Sequence, residues 1–131
     1  MAADIDAINP GDMAMPGGHY SHAISANGFV FISGQLPIDA SGAKLTDAPF
    51  EKQALQVLAN IKSALEAAGS DVSRLVQVRV YVVDIGSWPE FNALYAEWAG
   101  TARPARAVVP VPHLHFGFKI EIEAVALAGK R

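Results

Sequence analysis

The sequence predicts an α+β domain in which two helices cover one face of a mixed sheet, and three observations carry that expectation. Several segments alternate apolar and polar residues with period two, two others repeat apolar residues every three to four positions, and Gly, Asn and Pro punctuate the boundaries. Residues 1–18 hold Pro10, Gly11, Pro16, Gly17 and Gly18 without a hydrophobic period, and read as an irregular lead-in. His22 to Ala26 and Phe29 to Ser33 flank Asn27-Gly28, a pair that tolerates the positive φ angles of a two-residue type I′ turn, so they form a hairpin. From Asp47 to Ala68 the residues Leu58, Ile61, Leu65 and Ala68 recur at helical spacing, with Asp47 as N-cap, Pro49 in the first turn and Gly69 as the stop.

Leu75 to Val83 places Val76, Val78, Val80 and Val82 on one face and Gln77, Arg79 and Tyr81 on the other, which is a strand with one apolar face. Ser87 and Glu90 have the spacing of a capping box; Phe91, Leu94, Tyr95 and Trp98 then share one side of a second helix that Gly100 ends. Ala105 to Val111 and Lys119 to Leu127 read as the last two strands. The order is therefore β-β-α-β-α-β-β. Two helices cover only one face of such a sheet, yet the other face carries Phe, Val, Tyr and Leu, so self-association is expected.

With 131 residues, 51% of them hydrophobic and 18% charged, the chain is expected to fold around one core as a single domain over residues 1–131. A net charge of −3 provides no long-range attraction to nucleic acid or anionic lipid. The absence of cysteine excludes disulfides, thiolate metal sites and a cysteine nucleophile. No apolar run approaches the ~18 residues of a membrane span, and Asp4 and Asp6 stand where a signal peptide needs basic residues, so a cytoplasmic protein is expected.

Among residues that could carry chemistry, Arg106 lies in a strand otherwise made of Ala107, Val108 and Val109, where a charge needs a partner. That partner is either a ligand carboxylate held by two parallel hydrogen bonds or one of the 13 acidic residues. Glu121 and Glu123 share a face, as a solvated edge or with one carboxylate turned into a cleft. His113 and His115 would put two imidazoles on one side of an extended segment, but no third ligand stands at a recognisable spacing, so no metal is expected. His19 and His22 flank Tyr20 and read as loop residues.

Five segments together resemble the RidA/YjgF family of reactive-intermediate deaminases: Ser33-Gly34-Gln35-Leu36-Pro37, Asn60-Ile61 with Leu65 to Gly69, Asn92-Ala93-Leu94-Tyr95, Pro104-Ala105-Arg106-Ala107 and Lys119 to Ala124. The likeness runs from about Tyr20 to Ala126, with fifteen positions from Arg106 to Glu121 as in the family. It implies a chorismate-mutase-like fold, a homotrimer with clefts between subunits, and no cofactor. It further implies that Arg106 holds a substrate carboxylate and Glu121 positions a water. Tyr20, Ser33, Gly34, Asn92 and Tyr95 would complete the substrate site, with the backbone of Ala107 and Val108 beside the arginine. The chain departs from the family in carrying Val108 where a cysteine is frequent, and in its Val109 to Gly117 loop.

The implied reaction is hydrolysis of a small carboxylate-bearing enamine or imine, of the 2-aminoacrylate kind, to ammonia and a 2-keto acid. It needs an anchor for the anion, a positioned water and a group that moves a proton. Two alternatives share that cleft: a pathway deaminase for one aminoacrylate-like intermediate, and a non-catalytic sensor of a small carboxylate.

Overall fold

The computed structural model describes residues 4–129, so the first three residues of the expected lead-in and the last two of the chain lie outside the described residues. Eight elements follow in order: β1 (Asp6–Ile8), β2 (Ala23–Ala26), β3 (Phe29–Gln35), α1 (Phe50–Ala67), β4 (Leu75–Val82), α2 (Trp88–Ala99), β5 (Ala105–Pro110) and β6 (Ile120–Leu127). The six strands form one sheet in the order β1-β2-β3-β6-β4-β5, parallel between β4 and β5 and antiparallel elsewhere. No helix is long and apolar enough to cross a membrane among the described residues.

The two helices lie on the sheet as the periodicities required. Leu58, Ile61 and Leu65 of α1 and Phe91 of α2 are buried with Val30 and Ile32 of β3, Val78, Val80 and Val82 of β4, and Ile120 and Ile122 of β6. The hairpin turn is also as read, with Asn27 at φ 51° and Gly28 at φ 82°.

Four expectations need correction. The lead-in is not wholly irregular, because Asp6, Ala7 and Ile8 pair with Ser25, Ile24 and Ala23 and add an edge strand. Three residues are too few to show a period, and the hydrogen bonds to β2 define the strand. The first helix starts at Phe50 with Pro49 at its N-cap and no side-chain cap, so Asp47 does not cap it. Ser87 does stand before α2, but its backbone is already helical and its side chain caps nothing. A 3₁₀ turn over Ile85–Ser87 runs into the helix, and the Asp84 carboxylate accepts the Gly86 N–H at its start.

The fourth correction concerns β4. Its register against β6 shifts between Leu75 and Gln77, so Leu75 is buried and Val76, 41% exposed, leaves the apolar face. A bulge at that point changes the phase of the alternation.

The face without helices is apolar in part and uncovered by the chain itself. Phe29 stands opposite Leu127 and Phe31 opposite Val125, and Phe31 is 47% exposed. Arg79 and Glu123, a directly opposed pair, approach to 3.3 Å, while the Tyr81 hydroxyl donates to Glu123 at 2.5 Å. The ion pair is exposed and adds little to stability; each Glu123 oxygen accepts from one of these two partners.

Candidate active site

The chemistry-bearing residues gather in two recesses. The first lies at the outer edge of the sheet, beside β5 and α2. Asn92 and Tyr95, three apart on one face of α2, meet Arg106 of β5. The Arg106 Nη1 donates to the Asn92 Oδ1 at 3.0 Å, and the guanidinium carbon stands 4.9 Å from the centre of the Tyr95 ring. Stacking and a side hydrogen bond fix the plane of the guanidinium while leaving other N–H groups to a ligand. No carboxylate pairs with Arg106 among the described residues, in which Arg79–Glu123 is the ion pair present.

Tyr95 is buried, and its hydroxyl has no hydrogen-bond partner among the described residues. Burial pushes its ionisation above the ordinary tyrosine range, against the opposing pull of the Arg106 charge. Ala107 and Val108 follow Arg106 along this edge strand. Ala107 is exposed opposite Arg79, and Val108 packs partly against the core opposite Val80.

The second recess opens around Glu121, at the start of β6, as a cleft of about 450 Å³. Its floor is made by an irregularity in β3. The register with β6 shifts between Ile32 and Gln35, and Ser33 and Gly34 occupy the bulge. A Cβ at Gly34 would overlap the Glu121 carboxylate, so glycine at this point lets that carboxylate stand against the strand. The Ser33 hydroxyl donates to the Ser21 carbonyl at 2.6 Å, and Tyr20, His115 and Phe116 form the walls.

Glu121 is half-buried in this cleft. Desolvation is the main cause that raises its pKa above the ordinary glutamate value; the neighbouring Glu123 charge adds to it and His115 opposes it. Of the two glutamates on this face, Glu121 is therefore the one turned to a cleft, and Glu123 is held by Tyr81 and Arg79.

The two recesses are not joined within one chain. Arg106 stands opposite Val78 of β4, whose side chain is buried under the helices, whereas Glu121 stands opposite Tyr81 on the uncovered face. Val78 and Tyr81 are an odd number of residues apart, so Arg106 and Glu121 project to opposite sides of the sheet.

Two readings of histidine change. The segment before β6 is not extended through His115, because the chain turns tightly there, with Phe116 and Gly117 at positive φ and the Phe118 N–H donating to the His115 carbonyl at 3.0 Å; His115 lines the cleft and His113 is exposed. Among the described residues no group of three or more His, Cys, Asp or Glu could hold a metal ion. His22 lies in the bend just before β2, in a loop as expected, but it is buried there, with its Nε2 2.7 Å from the Ala14 carbonyl and its Nδ1 3.2 Å from the Gln35 amide. It thereby ties the segment that carries Gly17, Gly18 and Tyr20 to the bulged strand. The sequence around His19 and His22 hid this, since only the pairing of β2 with β3 brings Gln35 to His22.

The architecture and its recesses define a class: a small α+β domain with an arginine unpaired by acid at one sheet edge and a desolvated glutamate in a cleft on the open face. Comparison with known proteins agrees. The sequence model described as "Endoribonuclease L-PSP" matches residues 12–128. A RutC family protein of Pyrococcus horikoshii is 43% identical over 111 residues, which are 85% of this chain and 88% of that protein. A human protein named 2-iminobutanoate/2-iminopropanoate deaminase is 37% identical over 112 residues, 86% of this chain and 82% of its own. The solved structure of RidA from an Antarctic Psychrobacter species superposes with a TM-score of 0.88 at 32% identity, covering 93% of this chain and 98% of that one. The chain belongs to the RidA/YjgF family.

Proposed function

We propose that this protein is a cytoplasmic hydrolytic deaminase of small reactive enamines and imines of the 2-aminoacrylate kind, releasing ammonia and a 2-keto acid. The observation that supports it most is the state of Arg106, a guanidinium oriented by Asn92 and Tyr95 and paired with no carboxylate of the described chain. A planar fork held in this way suits the planar carboxylate that every such substrate carries. The human relative's name supplies the reaction class.

In this reading the enamine takes a proton on carbon and gives one up from nitrogen to become the imine. Water then adds to the imine carbon, one of its protons passing through Glu121 to nitrogen. The resulting carbinolamine loses ammonia as its C–N bond breaks and the hydroxyl proton passes to the departing nitrogen, which restores the C=O of the keto acid. A carboxyl group whose pKa is raised by burial exchanges protons closer to neutral pH than an ordinary glutamate. Chemistry of this kind draws on positioned side chains and water and uses no metal or prosthetic group.

Joining the recesses needs a second copy. We place the copies with their uncovered sheet faces inward, as a homotrimer in which Arg106 of one copy and Glu121 of the next close each cleft. The exposed Phe29, Phe31 and Leu127 on that face support the arrangement. The ribonuclease description of the family model is not carried over, since a net charge of −3 and a glutamate-floored cleft repel phosphate backbones.

The test mixes purified protein with freshly generated imines and follows ammonia and keto-acid release. Tight keto-acid binding without turnover would replace the enzyme by a carboxylate sensor. The shared cleft has its own test: Arg106→Ala and Glu121→Gln chains, each nearly inactive alone, are unfolded together and refolded. Random assembly restores roughly a quarter of the clefts, with activity to match. No recovery from a well-folded mixed oligomer would place both residues of a working site in one chain or remove one of them from it.

A further inference from the structure

The loop between β5 and β6 contains a bulky residue in a conformation that favours glycine. Phe116 has φ 57° and ψ 19°, and Gly117 follows it at φ 72°. The left-handed region is costly for a large side chain and persists where surrounding contacts enforce it. Glycine at 116 would satisfy the backbone without strain, so the ring is what the position retains.

That ring is held from several sides while one side stays open. The Thr46 hydroxyl donates to the Phe116 carbonyl at 3.0 Å. Phe118, itself buried, meets the ring edge-on at 5.6 Å between centroids, and the Lys44 ammonium lies 4.9 Å from the ring centre. Lys44 is in turn fixed by the isolated bridge of its backbone to Ile38. Yet Phe116 is 57% exposed, and it faces the Glu121 cleft together with Leu36 and Ile38. An aromatic wall already ordered, and still wet, loses little entropy when an apolar group covers it.

We propose that Phe116 is the specificity-determining residue of the cleft, and that the side chain it selects is an extended apolar one, branched aliphatic or aromatic, lying across Phe116, Leu36 and Ile38. The inference rests on the deaminase reading for the carboxylate and imine end of the ligand and adds what occupies the other end. Short side chains also enter, but they leave the wall wet.

The experiment compares wild type, Phe116→Gly and Phe116→Ala, each as the full chain. Binding of 4-methyl-2-oxopentanoate and of pyruvate is measured by calorimetry, together with hydrolysis of the two corresponding imines and the melting temperature. Wild type is expected to favour the branched acid by about ten-fold, the scale on which an apolar pocket discriminates. In Phe116→Gly that preference falls to about two-fold or less, in binding and in kcat/KM alike. Because glycine relieves the backbone, this variant melts no lower than Phe116→Ala, which separates lost selection from lost folding. An unchanged preference, or an equal loss for both acids, overturns the assignment of Phe116 alone. If wild type binds neither acid and hydrolyses neither imine, the deaminase reading falls and this inference with it.

Discussion

Arg106→Ala is expected to lower kcat/KM for imine hydrolysis by about thirty-fold to a thousand-fold while the chain stays folded, and Arg106→Lys is not expected to restore it. The magnitude follows from losing a charge-assisted contact in a sheltered site, about 2–4 kcal/mol. The failure of lysine follows from the surroundings. One guanidinium nitrogen is engaged by Asn92 and the plane rests on Tyr95, so the remaining N–H groups present a fixed edge that a compact ammonium on a flexible stem cannot reproduce. If Arg106 were a structural ion pair, alanine would act through stability, and the activity lost would track the unfolded fraction. Melting temperature, oligomer mass and turnover measured on the three proteins separate these outcomes. Wild-type turnover by a folded variant would take Arg106 out of the site.

The second large effect is expected at Glu121. Glu121→Gln removes the proton carrier but keeps the shape, so turnover should fall by about a hundred-fold or more while keto-acid affinity moves by less than about three-fold. In wild type the rate should fall with acidity as Glu121 takes up its proton, and burial places that limb above the ordinary glutamate range. The limb should be missing from the variant's residual activity. Stability should respond in the opposite sense. A carboxyl with a raised folded-state pKa costs the fold as pH rises through that value, because the buried charged form is disfavoured. Glutamine has no charge to bury, so the variant should be the more stable protein near neutrality, and the difference should vanish once both states of the wild type are protonated. Equal losses in turnover and keto-acid binding would assign Glu121 to holding the substrate instead.

Much of this was legible in the residues themselves. Asn27-Gly28 specified a turn type, and the helical spacing of Leu58, Ile61 and Leu65 and the alternation of Val78, Val80 and Val82 specified which sides are buried. The failures share a cause, which is that their determinants are distant in sequence. β1 exists because β2 offers an edge, Val76 leaves the core because β6 imposes a bulge, and His22 is buried because Gln35 and Ala14 reach it. The site was legible as a set of residues and not as a geometry. That Glu121 shares its face with Glu123 could be counted along one strand; that Arg106 faces the other way depends on the register of β5 against β4, which one strand's pattern does not carry.

The bulge at Ser33 and Gly34 bears on how this chain tolerates change in length. Deleting Gly34 would give β3 an unbroken ladder against β6 and a more regular sheet, yet it would also withdraw the gap in which the Glu121 carboxylate sits. Inserting a residue at the same point would advance Gln35 by one position and turn its amide away from His22. The segment is thus intolerant of both shortening and lengthening. Among length variants of this sequence, gaps should accumulate in the loops and leave these two residues as a fixed ruler for the cleft.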